Sequence, residues 1–302
     1  MTENTFIQKV MEVLRERFSP EEYEIHEDVF TKNNDTRRHG IVMKKKGEII
    51  SPTIYVDSYY KDYLDKKMTI PEIAEQISGV WQRIREHASQ YNSLTLDFEF
   101  CREKVIYRLV SRERNSQLLQ KIPYIPFLNL AITFQLVCNI SEQGIETLRI
   151  SNELMDKWGV STRTLVTLAE KNTPRLFPPK VDSLTNLLLQ YFELAEHFLP
   201  EQEGAPDPTA SMLILSNECS INGATTLLYP DMIHNLAEKY QKNLYILPSS
   251  IHELILIPDD NAESLSELTK LVRDINQRHV QKEEVLSDTA YYYDRNEKRF
   301  LF

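Results

Sequence analysis

No two of the chain's seven glycines lie closer than seven residues apart. They stand at Gly40, Gly47, Gly79, Gly144, Gly159, Gly204 and Gly223. A phosphate-binding P-loop, a dinucleotide fingerprint and a strained nucleophile elbow all place glycines nearer together, because the backbone there must turn sharply or touch the ligand. None of the three motifs can be present. A glycine-rich backbone cradle is therefore not expected, a site made of side chains remains open, and composition narrows which ones.

Seven histidines, at His26, His39, His87, His197, His234, His252 and His279, never fall at the one-turn spacing of a helical zinc pair. Cys101, Cys138 and Cys219 form no close pair, so neither a disulfide framework nor a zinc knuckle is indicated. No metal and no cofactor is expected, and thiols of this kind suit a reducing cytoplasm. With 302 residues the chain can bury a core without such staples. Apolar residues make up 41%, too many for disorder over most of the length.

The most apolar stretch, Phe127 to Cys138, is broken by Asn129, Thr133 and Gln135 and falls well short of the ~20 residues a membrane span needs. Near the start, Phe6, Val10, Leu14 and Phe18 recur every four residues among charges, which is an amphipathic helix and not a signal segment. No membrane association is expected. Acidic residues outnumber basic ones 45 to 35, and residues 199–302 hold 17 against 9. A cationic surface is what drives nucleic-acid binding, so the balance argues against that partner. The basic window 31–46, with Lys32, Arg37, Arg38, Lys44, Lys45 and Lys46, reads more simply as a lysine-protected hairpin edge.

Periodicity predicts an α+β fold with mainly antiparallel sheets and packed helices, in two lobes. After the first helix come three strands, around Tyr23 to Val29, Gly40 to Lys46 and Ile49 to Val56, with a turn at Asn33 to Asp35 and a reversal at Gly47-Glu48. Asp57 is expected to cap a short helix. Thr69, Pro71 and Glu72 open a longer one carrying Ile73, Ile77, Trp81 and Ile84. A helix entering a strand is expected over Phe98 to Val110, then one long strand over Phe127 to Ile140 with a partner at Ile145 to Ile150. Two helices separated at Gly159 follow. Pro174, Pro178 and Pro179 predict an extended segment, and Ser183 opens a helix through Ala195.

Residues 199–208, rich in proline and acid, are expected to link a lobe at 1–198 to one at 209–302. The second lobe reads as a strand at Ser211 to Leu215, a strand or helix lead-in at Gly223 to Leu228, and a helix from Pro230 to Tyr240. Strands at Leu244 to Leu247 and Ile251 to Ile257 come next, then a helix from Ala262 to Arg278 and a terminal hairpin turning at Asn296.

The first place for chemistry is the turn Pro248 to Glu253, where Ser250, His252 and Glu253 supply a hydroxyl, an imidazole and a carboxylate. Nucleophilic catalysis would need the imidazole to reach the hydroxyl and a third group to orient it. A polar turn between two strands asks less of the sequence. Tyr55, Asp57 and Tyr59 are candidate binding residues, against core packing and capping. Tyr292 is another, within the run Tyr291 to Tyr293, because strand alternation must expose one face or cover it. Arg175 could pair with a carboxylate or phosphate from an extended segment, against a structural ion pair.

Several strings taken together carry a resemblance: Ile50-Ser51-Pro52-Thr53-Ile54-Tyr55-Val56, Asn172-Thr173-Pro174-Arg175-Leu176-Phe177-Pro178, Leu227-Leu228-Tyr229-Pro230, Leu244 to Glu253, and Val285-Leu286-Ser287-Asp288-Thr289-Ala290-Tyr291-Tyr292-Tyr293-Asp294. Over nearly its whole length the chain resembles the domain-of-unknown-function 5688 family. The resemblance implies a bacterial, cytoplasmic setting and marks the Pro248 to Glu253 turn and the Arg175 segment as family features. It implies no activity. The expected function is an interaction or ligand-binding protein without catalytic chemistry, its partner an unidentified protein or small ligand. The alternative is a hydrolase-like enzyme at the Pro248 to Glu253 turn.

Overall fold

A computed structural model describes residues 1–47, 53–88, 96–141, 144–183, 212–260 and 264–302. The chain forms two compact units, one of residues 1–32 and 36–96, the other of residues 33–35 and 97–302. The fold is α+β, and every sheet is antiparallel.

In the first unit, α1 (Glu3–Arg17) starts where the Thr2 hydroxyl accepts from Thr5 N–H, and it buries Phe6, Ile7, Val10, Met11 and Leu14. Strands β1 (Tyr23–Thr31), β2 (Arg37–Lys45) and β3 (Thr53–Tyr55) pair in sequence order. The helices α2 (Asp57–Leu64) and α3 (Ile70–Ala88) complete the unit. Ile41, Met43 and Ile54 of the sheet, Ile73, Ile77 and Trp81 of α3 and the apolar face of α1 share one core. The Glu72 carboxylate accepts from both Thr69 N–H and the Thr69 hydroxyl, so the expected opening of α3 is formed. Asp57, expected as a cap, is instead the first residue of α2, whose cap position is Val56.

The second unit holds two sheets. One contains β4 (Val105–Ser111), β5 (Tyr124–Phe127), β6 (Leu130–Ser141) and β7 (Gly144–Arg149), with β6 paired to the other three. The other has the order β13-β12-β10-β11-β9-β8, from β8 (Pro179–Ser183), β9 (Leu213–Asn217), β10 (Leu244–Pro248), β11 (Leu254–Pro258), β12 (Tyr291–Asp294) and β13 (Arg299–Leu301). Leu109 and Leu130 of the first sheet meet Leu215, Ile246, Leu254 and Tyr291 of the second in one core.

Two short helices, α4 (Phe98–Cys101) and α5 (Ser116–Leu119), flank β4, and α6 (Asn152–Trp158) ends at Gly159 with φ +64. Helix α7 (Thr162–Leu176) follows. Helix α8 (Met232–Tyr240) turns Ile233, Leu236 and Ala237 into the shared core. Helix α9 (Leu265–His279) covers the other side of the six-stranded sheet, where Leu268 and Val272 meet Tyr245 and Leu247.

Two expectations are corrected, and a third, which held two alternatives, is decided. Helix α7 runs through Pro174 to Leu176, so Arg175 is helical and not extended. Pro174 lies in the last turn, where its missing N–H forfeits a single bond, and the buried Thr173 hydroxyl donates to Ala169 O at 2.7 Å. The expected long strand from Phe127 is a hairpin, β5 turning into β6 at Leu128, which adopts φ +54. Gly223–Leu228, expected as a strand or a helix lead-in, is a 3-10 helix ahead of α8. The expected reversal at Glu48, the helix from 184 to 195 and the linker 199–208 lie outside the described residues. Strands β8 and β9, either side of residues 199–208, pair directly with each other.

Candidate functional site

Polar side chains from distant parts of the second unit converge on the segment Ser287-Asp288-Thr289, between α9 and β12. Ser287 is buried, and its hydroxyl accepts from Thr289 N–H at 3.0 Å and from Asn129 Nδ2 at 3.0 Å. Asn129 is fixed in turn, because its Oδ1 accepts from the Tyr291 hydroxyl at 2.6 Å. Buried Asn276 of α9 donates from Nδ2 to Ser287 O at 2.9 Å and to Asp288 Oδ1 at 2.8 Å. Asp288 Oδ2 takes Arg114 at 2.5 Å. Both carboxylate oxygens and the buried serine are thus committed to holding the segment in one conformation.

A cavity of ≈ 370 Å³ opens beside this network. Arg112, Glu113 and Arg114, from the loop after β4, line one side, and Arg273 of α9 lines another. Arg273 and Asn276 are three apart on one helix, so the residue that grips the Ser287 segment and the residue that faces the cavity share a helical face. The Arg112 N–H donates to Asn129 O at 3.3 Å, which ties the arginine loop to the same turn. Arg112 and Arg273 are exposed, and their guanidinium groups have no hydrogen-bond or ion-pair partner among the described residues. Three arginines against one glutamate and one aspartate make a positive spot on a chain of net charge -10.

The residues singled out in the sequence fall elsewhere. Tyr55, Asp57 and Tyr59 belong to the first unit. Lys32 Nζ sits 4.0 Å above the Tyr55 ring, and Phe30 meets the same ring edge-on. The Asp57 Oδ2 is buried and accepts no hydrogen bond among the described residues. Tyr59 packs on the core, where burial raises its pKa against the opposing effect of Arg83. In the second unit, Arg175 donates to Glu103 O at 2.7 Å and lies 3.8 Å from the Glu103 carboxylate.

At the Pro248 to Glu253 turn, His252 Nδ1 accepts from Asn222 N–H at 3.2 Å and Nε2 lies 3.9 Å from Glu284 Oε1. The Ser250 hydroxyl accepts from the backbone N–H of His252 at 3.0 Å, and Ser249 donates to Glu253 at 3.3 Å. Among the described residues no serine hydroxyl is bonded to that imidazole. Tyr292 is half-buried; its hydroxyl donates to Asp259 at 2.7 Å and accepts from Asn243 at 2.7 Å. No group of three or more His, Cys, Asp or Glu side chains among the described residues is placed to hold a metal ion.

The tyrosines make one property measurable. Burial raises the pKa of Tyr107, Tyr229 and Tyr291. Burial and then the bond to Asp259 push Tyr292 up to about 12, against the opposing effect of Asn243. The folded state therefore holds these protons after the unfolded chain, with phenols near ~10, has begun to lose them. Their contribution is fully present below pH ~10 and declines as pH rises through the folded values. Urea midpoints are expected to hold between pH 8 and 9.5 and to fall steadily from about pH 10 to 12. A midpoint independent of pH across that range would contradict the assignment.

A model of a family of unknown function (DUF5688) matches residues 3–295. That span is nearly the whole chain, and the protein belongs to this family. No curated protein and no solved structure matches it. Among the described residues no helix is long and apolar enough to cross a membrane.

Proposed function

We propose that this is a soluble bacterial ligand-binding protein of the cytoplasm, without catalytic chemistry, and that its ligand occupies the cavity beside Ser287-Asp288-Thr289. One observation carries the reading. Ser287 and Asp288 at the cavity are spent on internal hydrogen bonds, while the guanidinium groups of Arg112 and Arg273, which also line it, have no partner among the described residues. A pocket of a few hundred Å³ with a few convergent polar groups has the dimensions of a small-molecule site.

The hydrolase-like reading of Ser250, His252 and Glu253 has less support. His252 Nδ1 serves as acceptor for a backbone amide, and the Ser250 hydroxyl answers a second one.

The test is a thermal-shift screen of the full chain against neutral, cationic and anionic small molecules, repeated on Thr289→Trp, which fills the cavity without changing its charge. At least one compound is expected to raise Tm in the parent and not in the folded variant. If no compound does so, the binding reading is overturned. Turnover of a simple aryl ester that Ser250→Ala abolishes would establish the hydrolase reading instead.

A further inference from the structure

We propose that the cavity takes the phosphate group of a small phosphorylated molecule, an inference that rests on the ligand-binding reading. Of the three arginines at the cavity, Arg114 is neutralised by Asp288, and Asn276 holds that carboxylate from the other side. Arg112 and Arg273 remain. They come from separate segments, a loop after β4 and the helix α9, yet both line the same cavity. Two guanidinium groups that line one cavity and have no partner among the described residues repel each other, and an anion between them removes that repulsion while supplying acceptors for their N–H groups.

A phosphate monoester suits this arrangement better than a single carboxylate. It carries close to two negative charges near neutral pH and offers three terminal oxygens, enough for two guanidinium forks at once. Glu113, exposed and also lining the cavity, is the opposing charge, and it disfavours a long polyanion there. The chain as a whole carries a net charge of -10, which weakens the pull on a long polyanion such as nucleic acid. The ≈ 370 Å³ of space exceeds what a phosphate ion fills and leaves room for the rest of a small molecule. The Arg114–Asp288 pair orients the wall of the cavity, and Arg112 and Arg273 make the contact.

Isothermal titration of the full chain with inorganic phosphate, and separately with acetate, tests this at low ionic strength. Phosphate is expected to bind and acetate to bind at least about tenfold more weakly, with phosphate affinity falling as salt is added. Arg112→Gln and Arg273→Gln are each expected to weaken phosphate about tenfold or more, from the loss of charge-assisted hydrogen bonds. Arg273→Lys should recover part of the loss, and the distant Arg175→Gln should change nothing. Equal affinity in the parent and both arginine variants overturns the proposal, as does acetate binding as tightly as phosphate. Phosphate that fails to bind, while a neutral compound binds in a Thr289→Trp-sensitive way, sinks the phosphate inference and spares the binding reading. No ligand of any class sinks both.

Discussion

Gly223→Ala is expected to destabilise the second unit by about 3 kcal/mol or more, enough to leave much of the chain insoluble on expression. A Cβ at Gly223 would overlap the Ser216 hydroxyl oxygen and the backbone oxygen of His252, and would stand 2.9 Å from Asn217 N. Three segments are pinned there. Ser216 of β9 donates to His252 O at 2.8 Å, Asn222 N–H reaches the His252 ring, and Ala224 N–H reaches Ile251 O at 3.2 Å. The serine can rotate away, but the backbone of His252 cannot move without breaking these bonds. Adding Ser216→Ala to Gly223→Ala should therefore rescue little.

Gly79→Ala is the matched control. Nothing lies within 4 Å of a Cβ built at Gly79, in the middle of α3, and alanine there should stabilise by about 0.5–1 kcal/mol. Urea denaturation of the three variants reads the order. A Gly223→Ala protein as stable as the parent would show that the backbones around His252 are not as tightly pressed as described.

The same position shows what the sequence could and could not reveal. Gly223 reads along the chain only as the opening of a strand or a helix lead-in, because nothing local says that two other segments press against it. Local signals did well where each side chain's role depends on its neighbours in sequence. The four-residue spacing of Phe6, Val10 and Leu14 is enough to place α1, and Thr69 with Glu72 enough to open α3. Alternation and the turn at Asn33 to Asp35 place β1 against β2. Pro174 misled because its effect depends on where in a helix it falls, and the buried hydroxyl of Thr173 bonds back to the turn before. Leu128 misled because a leucine at φ +54 is uncommon, so one strand was expected where a hairpin stands. The order of the six-stranded sheet is set by pairings between segments far apart, which no local pattern encodes.

The candidate site was half visible for the same reason. Ser287, Asp288 and Thr289 lie in one of the strings that carry the resemblance to the family, and Asn129 in a stretch that reads as a strand. Arg112, Arg114 and Arg273 do not stand out in the sequence, since isolated arginines in an α+β chain are ordinary surface residues. They become a site only when β4 and α9 bring positions some 160 residues apart to one cavity. The signal was present as a concentration of arginine in Ser111-Arg112-Glu113-Arg114, within an acidic protein, and it carried no weight without its distant partner.

In the first unit the largest expected effect belongs to Trp81, one of two tryptophans in the chain. It is 1% exposed, its Nε1–H donates to Met43 O at 2.7 Å, and its ring meets Phe18 and Tyr23 edge-on at 5.3 and 5.5 Å. Trp81→Ala empties the centre of a core built from α1, α3 and the three-stranded sheet, at an expected cost of about 3–5 kcal/mol. For a unit under a hundred residues that is a large part of its whole stability. Trp81→Phe separates packing from hydrogen bonding. It keeps an aromatic ring against Phe18 and Tyr23 but loses the donor to Met43 O, so about 1–3 kcal/mol should remain as the cost of the lost bond and the smaller ring. Urea unfolding followed by far-ultraviolet circular dichroism gives both values. Equal losses in the two variants would mean that the Met43 bond outweighs the packing of the ring, and no loss in Trp81→Ala would remove Trp81 from the core of the unit.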